Sequence, residues 1–428
     1  MLIEFKVANF RSIREEQTFS LVAENSNKDL PASVIDPGLP GLSGVRFLKG
    51  AAIYGANASG KSNIFKALQF LARFVTRSAT KIGPGDPTNT EPFKLDRFSH
   101  AKPSVFEITF VARGVRYVFG CSLTPKRVVE EYLFAYPKGS PQRWYHRTYD
   151  ESTKAYRWEA PSTNFKDDKA LQERTRENSL YLSVGPQFNH AQLLPLFEWF
   201  KVGLRFIQLS FDEGLDPGFT AERLANPKHK KRLLQILRSA DFGIVDAGIE
   251  ERPFLDEIKK KLPPSVLAEI QKSDSVPKNI VEVKLSHAGG GDAPVPLDFL
   301  REESAGTQRF FALIGPWLDI LDHGYTVFVD EIETSIHPIL VKELLKLLFC
   351  DKNNRQGSQI VFTTHNPVLL DSTLMRRDQV WFTEKSPEGA THLYPLTDFS
   401  PRKGEALAKG YLAGRYGAIP FLTEGLRL

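Results

Sequence analysis

The sequence predicts an α/β fold: a mixed sheet with helices, joined to an antiparallel β subdomain and interrupted by an inserted, mostly helical region. Three observations carry this. A glycine-rich loop, "GANASGKSN", follows the apolar stretch "RFLKGAAIY" and precedes a helical pattern. Alternating apolar and polar runs between that helix and Pro137 read as antiparallel strands. The last third alternates helices with all-apolar strands, the pattern of a largely parallel sheet buried on both faces.

Taken in order, "MLIEFKVANF" and "QTFSLVA" read as paired strands and "RFLKGAAIYG" as a buried one. Apolar residues at helical spacing from Ser62 to Arg77 predict a helix after the glycine loop. "IGPGDPTNTEP" is a turn-rich break. "SVFEITFVA", "VRYVFGCSL" and "VVEEYLFAYP" then form a sheet expected to end near Pro137. From about Ser140 to Pro294 helical pieces mix with loops, among them "KHKKRLLQILRSA" and a helix-turn-helix in "FLDEIKKKLPPSVLAEIQK", broken at Pro263 and Pro264. The final third predicts a helix in "GTQRFFALIGPWLDIL", a strand in "TVFVDE" and a helix in "PILVKELLKLLF". Strands in "SQIVFTTH" and "QVWFTEK" follow. Three regions result: 1–137 with the glycine loop, an inserted arm over 138–294, and a second lobe over 295–428.

Composition narrows the class. The chain has 428 residues, 41% hydrophobic and 25% charged, enough for a sizeable core. No apolar run is long enough to span a membrane, and the N-terminus alternates like a strand instead of carrying a signal peptide's apolar core. Cys121 and Cys350 stand outside any metal-ligand spacing and read as reduced thiols, so a cytoplasmic location is expected. A net charge of +5 is compatible with nucleic acid without specifying it.

The loop fits G-x-x-x-x-G-K-S in the strand–loop–helix context that gives the motif its meaning. Gly55 and Gly60 permit the tight turn whose N–H groups wrap phosphates, Lys61 supplies a point charge, and Ser62 a hydroxyl for Mg²⁺. Asp330 and Glu331 end the apolar strand "TVFVDE", where one carboxylate can serve a metal and the other polarise water. Ser304, Ala305 and Gly306 stand at a helix start, which fits either an anion site or a simple cap. His365 stands at the tip of the next strand, within reach of a γ-phosphate or in a structural role.

The order of these signals resembles the ABC-type ATPases of the SMC and recombination-repair group. "NFRSI" at Asn9–Ile13, ahead of the loop, is similar to a segment of that group whose arginine and serine lie close to nucleotide. "ESAGTQR", "DEIETSIHP" and "KGYLAGRYGAIPF" look like the compact OLD-like AAA-family ATPases of bacterial anti-phage, abortive-infection systems, which are paired with a Toprim-like RloB partner. The resemblance implies a P-loop ABC-type ATPase head with an inserted lid, and ATP and Mg²⁺ as cofactors. Arg11, Ser12, Gly55, Asn57, Ser59, Gly60, Lys61, Ser62 and Asn63 would bind ATP, with Ser62 and Asp330 on the metal. Glu331 would activate water and His365 sense the γ-phosphate. Ser304, Ala305 and Gly306 would clamp ATP held by the other subunit of a homodimer, with Ala305 replacing the usual glycine. It assigns no glutamine to the metal's remaining ligand.

Other features carry less. "DFG" at Asp241–Gly243 lacks a catalytic-loop "HRD" and reads as a helix-end turn. The runs Lys228–Arg232 and Lys259–Lys261 read as solvated faces or as contacts to DNA or RNA. With no heptads and no Cys-x-x-Cys hook, a long-armed clamp is not expected. Too few residues follow His365 for an attached Toprim nuclease, so a nuclease or other effector would be a separate chain. Two readings stand: an ATP-hydrolysing dimer regulating an effector, or an ATP-gated clamp on nucleic acid or protein with slow hydrolysis.

Overall fold

The structure, a computed structural model, describes residues 1–162, 165–208, 216–240, 243–253, 279–289, 291, 293–334 and 336–420. The helix-turn-helix expected from Phe254, the Lys259–Lys261 run, and Asp241 and Phe242 lie outside the described residues.

The chain divides into two compact units, the first made of Met1–Gln208, Ile320–Ile332 and Lys342–Leu428. Its antiparallel sheet has seven strands: β1 (Leu2–Ala8), β2 (Gln17–Ser20), β6 (Ser104–Ala112), β7 (Val115–Leu123), β8 (Val128–Tyr136), β9 (Gln142–Asp150) and β10 (Ala155–Glu159). β3 (Val34–Ile35) and β4 (Phe47–Leu48) form a small pair. The second large sheet runs β11 (Leu204–Gln208), β15 (Thr326–Asp330), β16 (Gln359–Thr364), β5 (Gly50–Gly55), β17 (Val380–Lys385), β18 (Thr391–Pro395). It is parallel except for the last hairpin, β17–β18. Every residue of β5 and β16 is buried, Gln359, Thr363 and Thr364 included, as expected of strands inside a parallel sheet.

Helix α1 (Lys61–Lys81) packs between the sheets. Phe70 meets Phe10 and Phe106 of the antiparallel side at 5.4 and 5.3 Å between ring centres. Phe65 meets Phe206 and Phe328 of the parallel side at 5.4 and 6.3 Å. Phe65 is buried and contributes roughly 1.5–3 kcal/mol and the half-buried Phe70 less, so the helix carrying the glycine loop is held from both sides. α2 (Lys169–Arg174), α3 (Tyr181–Gln187) and α4 (Leu194–Glu198) follow, then one π-helical turn at Trp199–Gly203.

The antiparallel sheet does not stop near Pro137. "PKGSPQ" is the turn of a β8–β9 hairpin, and the sheet runs on to Glu159. Inside it, the fully buried pair Glu131–Arg147 pins α3: Glu131 accepts from Arg147 Nε at 2.9 Å, from Tyr145 Oη at 3.0 Å, and from the N–H groups of Tyr181 and Leu182 at 2.8 and 3.1 Å.

The second unit, Leu209–Asp319 and Glu333–Val341, holds α5 (Gly218–Leu224), α6 (Pro227–Ser239) and a three-stranded sheet of β12 (Ile244–Pro253), β13 (Asn279–His287) and β14 (Val295–Asp298). The expected helical insertion therefore also carries a sheet. α7 (Ala305–His323) begins in this unit, whereas the sequence grouped it with the C-terminal lobe. Pro316 has no N–H for the carbonyl of Ala312, and the Thr220 hydroxyl of α5 donates to it instead, at 3.2 Å. A side chain on Gly315 would collide with Thr220, so the close approach requires glycine there. The Lys228–Arg232 run lies on α6, where Lys228 and Lys231 are exposed and Lys230 pairs with Asp246 at 2.9 Å; this fits a solvated face. α8 (Pro338–Phe349) starts in this unit and passes into the first, which also holds α9 (Leu407–Leu412).

Candidate functional site

The parallel strands β15, β16 and β5 are adjacent and point the same way, so their C-terminal ends share one edge. Ligands of open α/β sheets bind at such edges. Here the three ends carry Asp330–Glu331, Thr364–His365 and the glycine loop.

After Gly55 the chain turns through Ala58 (φ 62°) and Gly60 (φ 108°) into α1, whose N-terminus has no side-chain cap. Both glycines are sterically required, and by one element. A side chain on Gly60 would strike Thr391, and one on Gly55 would strike Thr383 and Ser59. Thr383 and Thr391 belong to the β17–β18 hairpin. Ser59 Oγ lies 2.7 Å from Thr383 Oγ1, and Thr391 Oγ1 donates to the Ser59 carbonyl at 3.1 Å. Ser59 is buried and turned to the hairpin, while Asn57 is exposed on the loop. Lys61 is buried too, and its ammonium donates to the carbonyls of Gly55 and Ala56 at 2.7 and 3.0 Å.

The "NFRSI" segment joins this loop. Ser12 Oγ lies 2.7 Å from Thr391 Oγ1 and accepts from Asn63 Nδ2 at 2.6 Å, tying the segment to β18 and to the first turn of α1. Arg11 (φ 52°) pairs with Glu91 at 2.6 Å. Asn9 braces the turn by donating to the Ser99 carbonyl at 2.8 Å and accepting from the Phe93 N–H at 3.0 Å.

Across the edge, Ser62 Oγ donates to Asp330 Oδ1 at 3.1 Å. Thr363 of β16 donates to the same oxygen at 2.6 Å and accepts the Glu331 N–H at 2.8 Å. Glu331 is exposed and takes a left-handed backbone, φ 52°. His365 is exposed one residue beyond β16, and Thr364 accepts the Asn366 N–H at 3.0 Å to fix that turn.

A divalent cation fits this donor set. Ser62 and Asp330 offer hard oxygen ligands, and among the described residues no group of three His, Cys, Asp or Glu forms a closed metal cage. A cation bound by a hydroxyl and a single carboxylate needs phosphate oxygens and water to complete its shell, which is the habit of Mg²⁺.

Residues 51–371 match the family described as "AAA domain, putative AbiEii toxin, Type IV TA system". The chain belongs to that AAA family. The matched span runs from β5 through the loop and the Asp-Glu strand to the turn past His365, so this family segment contains the loop, Asp330, Glu331 and His365, while the "NFRSI" segment and the β17–β18 hairpin lie outside it. Among curated proteins, none matches the sequence. Solved structures similar to it include an SMC head domain from Thermotoga maritima, at 12% identity and TM-score 0.38, covering 92% of this chain and 98% of that one. An SMC head domain from Pyrococcus furiosus, with an extended coiled coil and bound to the C-terminal domain of ScpA, is similar at 11% identity and TM-score 0.39, covering 92% and 95%. Among the described residues, no helix of this AAA-family chain is long and apolar enough to cross a membrane.

In the second unit Ser304 stands at the start of α7, exposed, with its hydroxyl accepting the Thr307 N–H at 3.1 Å; Ala305 is exposed and Gly306 half-buried beside it. As it stands, Ser304 is an N-cap. Sequence reading missed Thr363, Thr383 and Thr391, since threonine in a strand reads as an ordinary β-former.

Proposed function

We propose that this AAA-family protein is a Mg²⁺-dependent ATPase that dimerises around ATP and regulates a partner effector. The observation that carries the chemistry is the hydrogen bond from the loop's Ser62 to Asp330, which brings phosphate loop and acidic strand end to one edge. The α1 N–H groups and Lys61 would hold the phosphates, and Ser62 with Asp330 the Mg²⁺. When bound, the metal supplies charge neutralisation on the phosphate oxygens. Glu331, one residue beyond Asp330 and open to solvent, would take a proton from the attacking water; His365 would contact the γ-phosphate. Ser12 and Asn63 fix the loop's first turn, and Asn57 is exposed where it can touch nucleotide.

A homodimer, with Ser304, Ala305 and Gly306 clamping ATP of the second subunit, rests on the resemblance set out above, as do a cytoplasmic location and an anti-phage role beside a Toprim-like nuclease. The family's description, "putative AbiEii toxin, Type IV TA system", supports a function paired with a second protein. The deciding experiment is phosphate release from ATP with and without Mg²⁺, comparing wild type with Glu331→Gln. Turnover is expected only in wild type with Mg²⁺, and equal turnover by the two proteins would overturn the reading. If wild-type turnover stays slow while ATP switches binding of DNA, RNA or a partner, the clamp reading holds instead.

A further inference from the structure

We infer that the hydroxyl of Thr363 is the positioning group for Asp330 and Glu331. β16, "QIVFTT", is fully buried, and burying a hydroxyl there without partners costs about 1–3 kcal/mol. Thr363, 2% exposed, recovers that cost through partners in the Asp-Glu turn. Its single proton goes to Asp330 Oδ1 at 2.6 Å, and its oxygen accepts the Glu331 N–H at 2.8 Å. The Thr363 carbonyl accepts the Ile332 N–H at 3.2 Å, so three successive residues hang on one.

The turn needs such a hold. Glu331 takes φ 52°, a left-handed conformation that costs a non-glycine residue on the order of 1 kcal/mol or more and persists only where its surroundings impose it. The clamp sets where the Glu331 side chain leaves the backbone. It also orients the Asp330 oxygen that Ser62 touches. Thr363 is buried and acts through its two neighbours. β-Branching lets the residue serve the strand and the turn together, because the methyl group packs as valine would while the hydroxyl reaches sideways.

This inference rests on the ATPase reading for its consequence, but the clamp itself is measurable without turnover. Thr363→Val keeps the shape and deletes the hydroxyl; Thr363→Ser keeps the hydroxyl. In Thr363→Val, kcat for ATP is expected to fall about 10–100-fold, the effect of a misplaced catalytic group, with KM changed less than about threefold. Thr363→Ser is expected to stay within about threefold of wild type. By hydrogen exchange the Glu331 amide is expected to be protected in wild type and to exchange at least about tenfold faster in Thr363→Val, as loss of its acceptor requires. Undiminished kcat in Thr363→Val, an equal loss in Thr363→Ser, or an unprotected Glu331 amide in wild type would each overturn the inference. Should the valine variant not fold, Thr363→Ala is read against Thr363→Ser in the same way. A wild-type protein without turnover but with a protected amide would sink the ATPase reading and leave the clamp standing.

Discussion

Lys61 shows how a single residue can be read before its ligand is seen. Its ammonium is buried at the start of α1 and donates to two carbonyls of its own loop, where phosphate oxygens would meet it. Lys61→Ala should therefore lower ATP affinity about 10–100-fold, the worth of one charged hydrogen bond; unchanged affinity by isothermal titration would refute this. Glu331→Gln should bind ATP normally and turn over about 10²–10⁴-fold more slowly, the usual contribution of a general base. His365→Ala should keep nucleotide binding and lose most hydrolysis, and a fully active, folded variant would return His365 to a structural role. These positions were legible because phosphate chemistry fixes residue type and spacing along one stretch of chain. Thr383 and Thr391 were not, since they lie more than 300 residues from the glycines they oppose and no local pattern links them.

Among elements, the β17–β18 hairpin belongs to the site as much as the loop does. Thr391 touches Ser12 and the Ser59 carbonyl, and it fills the space a Gly60 side chain would need. Gly60→Ala should thus lose nucleotide binding through backbone displacement, and pairing it with Thr391→Ser or Thr391→Ala should restore only part, because φ 108° still disfavours alanine. A second tie joins α8 to the segment after β16, where Lys342 bonds Asp371 at 2.9 Å. Burial works to raise the Asp371 carboxyl, but hydrogen bonds from Lys342 and Thr373 outweigh it and hold the group at about 2. A depressed carboxylate contributes stability above its unfolded value near 3.8 and loses it as pH falls towards 2. Asp371→Asn should therefore destabilise the protein to urea at pH 7, with the gap to wild type shrinking between pH 4 and pH 2; a constant gap would contradict the tie. Element types were largely legible, because 2.0 and 3.6 periodicities survive burial. The extent of the antiparallel sheet was not. "PKGSPQ" carries the same glycine and prolines in a hairpin turn as in a domain boundary, and only the pairing of β9 with β8 distinguishes them.

For the whole molecule, the question is what completes the site. The loop, Asp330, Glu331 and His365 belong to one compact unit, while Ser304 heads α7 in the other. A homodimer in which each Ser304 serves the other subunit's ATP predicts association that depends on ATP and Mg²⁺. Sedimentation of Glu331→Gln should show a dimer at saturating ATP-Mg²⁺ and monomer without nucleotide; a monomer in both would remove the sandwich. Ser304 is also a cap, so its substitution needs a control. Ser304→Ala deletes the hydroxyl that accepts the Thr307 N–H, costing about 1 kcal/mol of helix stability, yet leaves the surface small. Ser304→Arg adds bulk and charge. If the segment faces a partner's nucleotide, Ser304→Arg should block dimerisation well beyond Ser304→Ala, whereas equal effects would mean that only the cap was lost. Mixing Lys61→Ala with Ser304→Arg subunits then tests the geometry. A head-to-tail pair leaves one composite site free of both changes and concentrates both in the other. Up to about half of wild-type turnover per mixed dimer is expected if sites fire independently. Recovered dimerisation without recovered turnover would mean that both sites must be loaded before either reacts. If neither recovers, a single Ser304→Arg is enough to block the pair, whereas Ser304→Arg subunits that dimerise and turn over unmixed would place Ser304 away from the subunit interface.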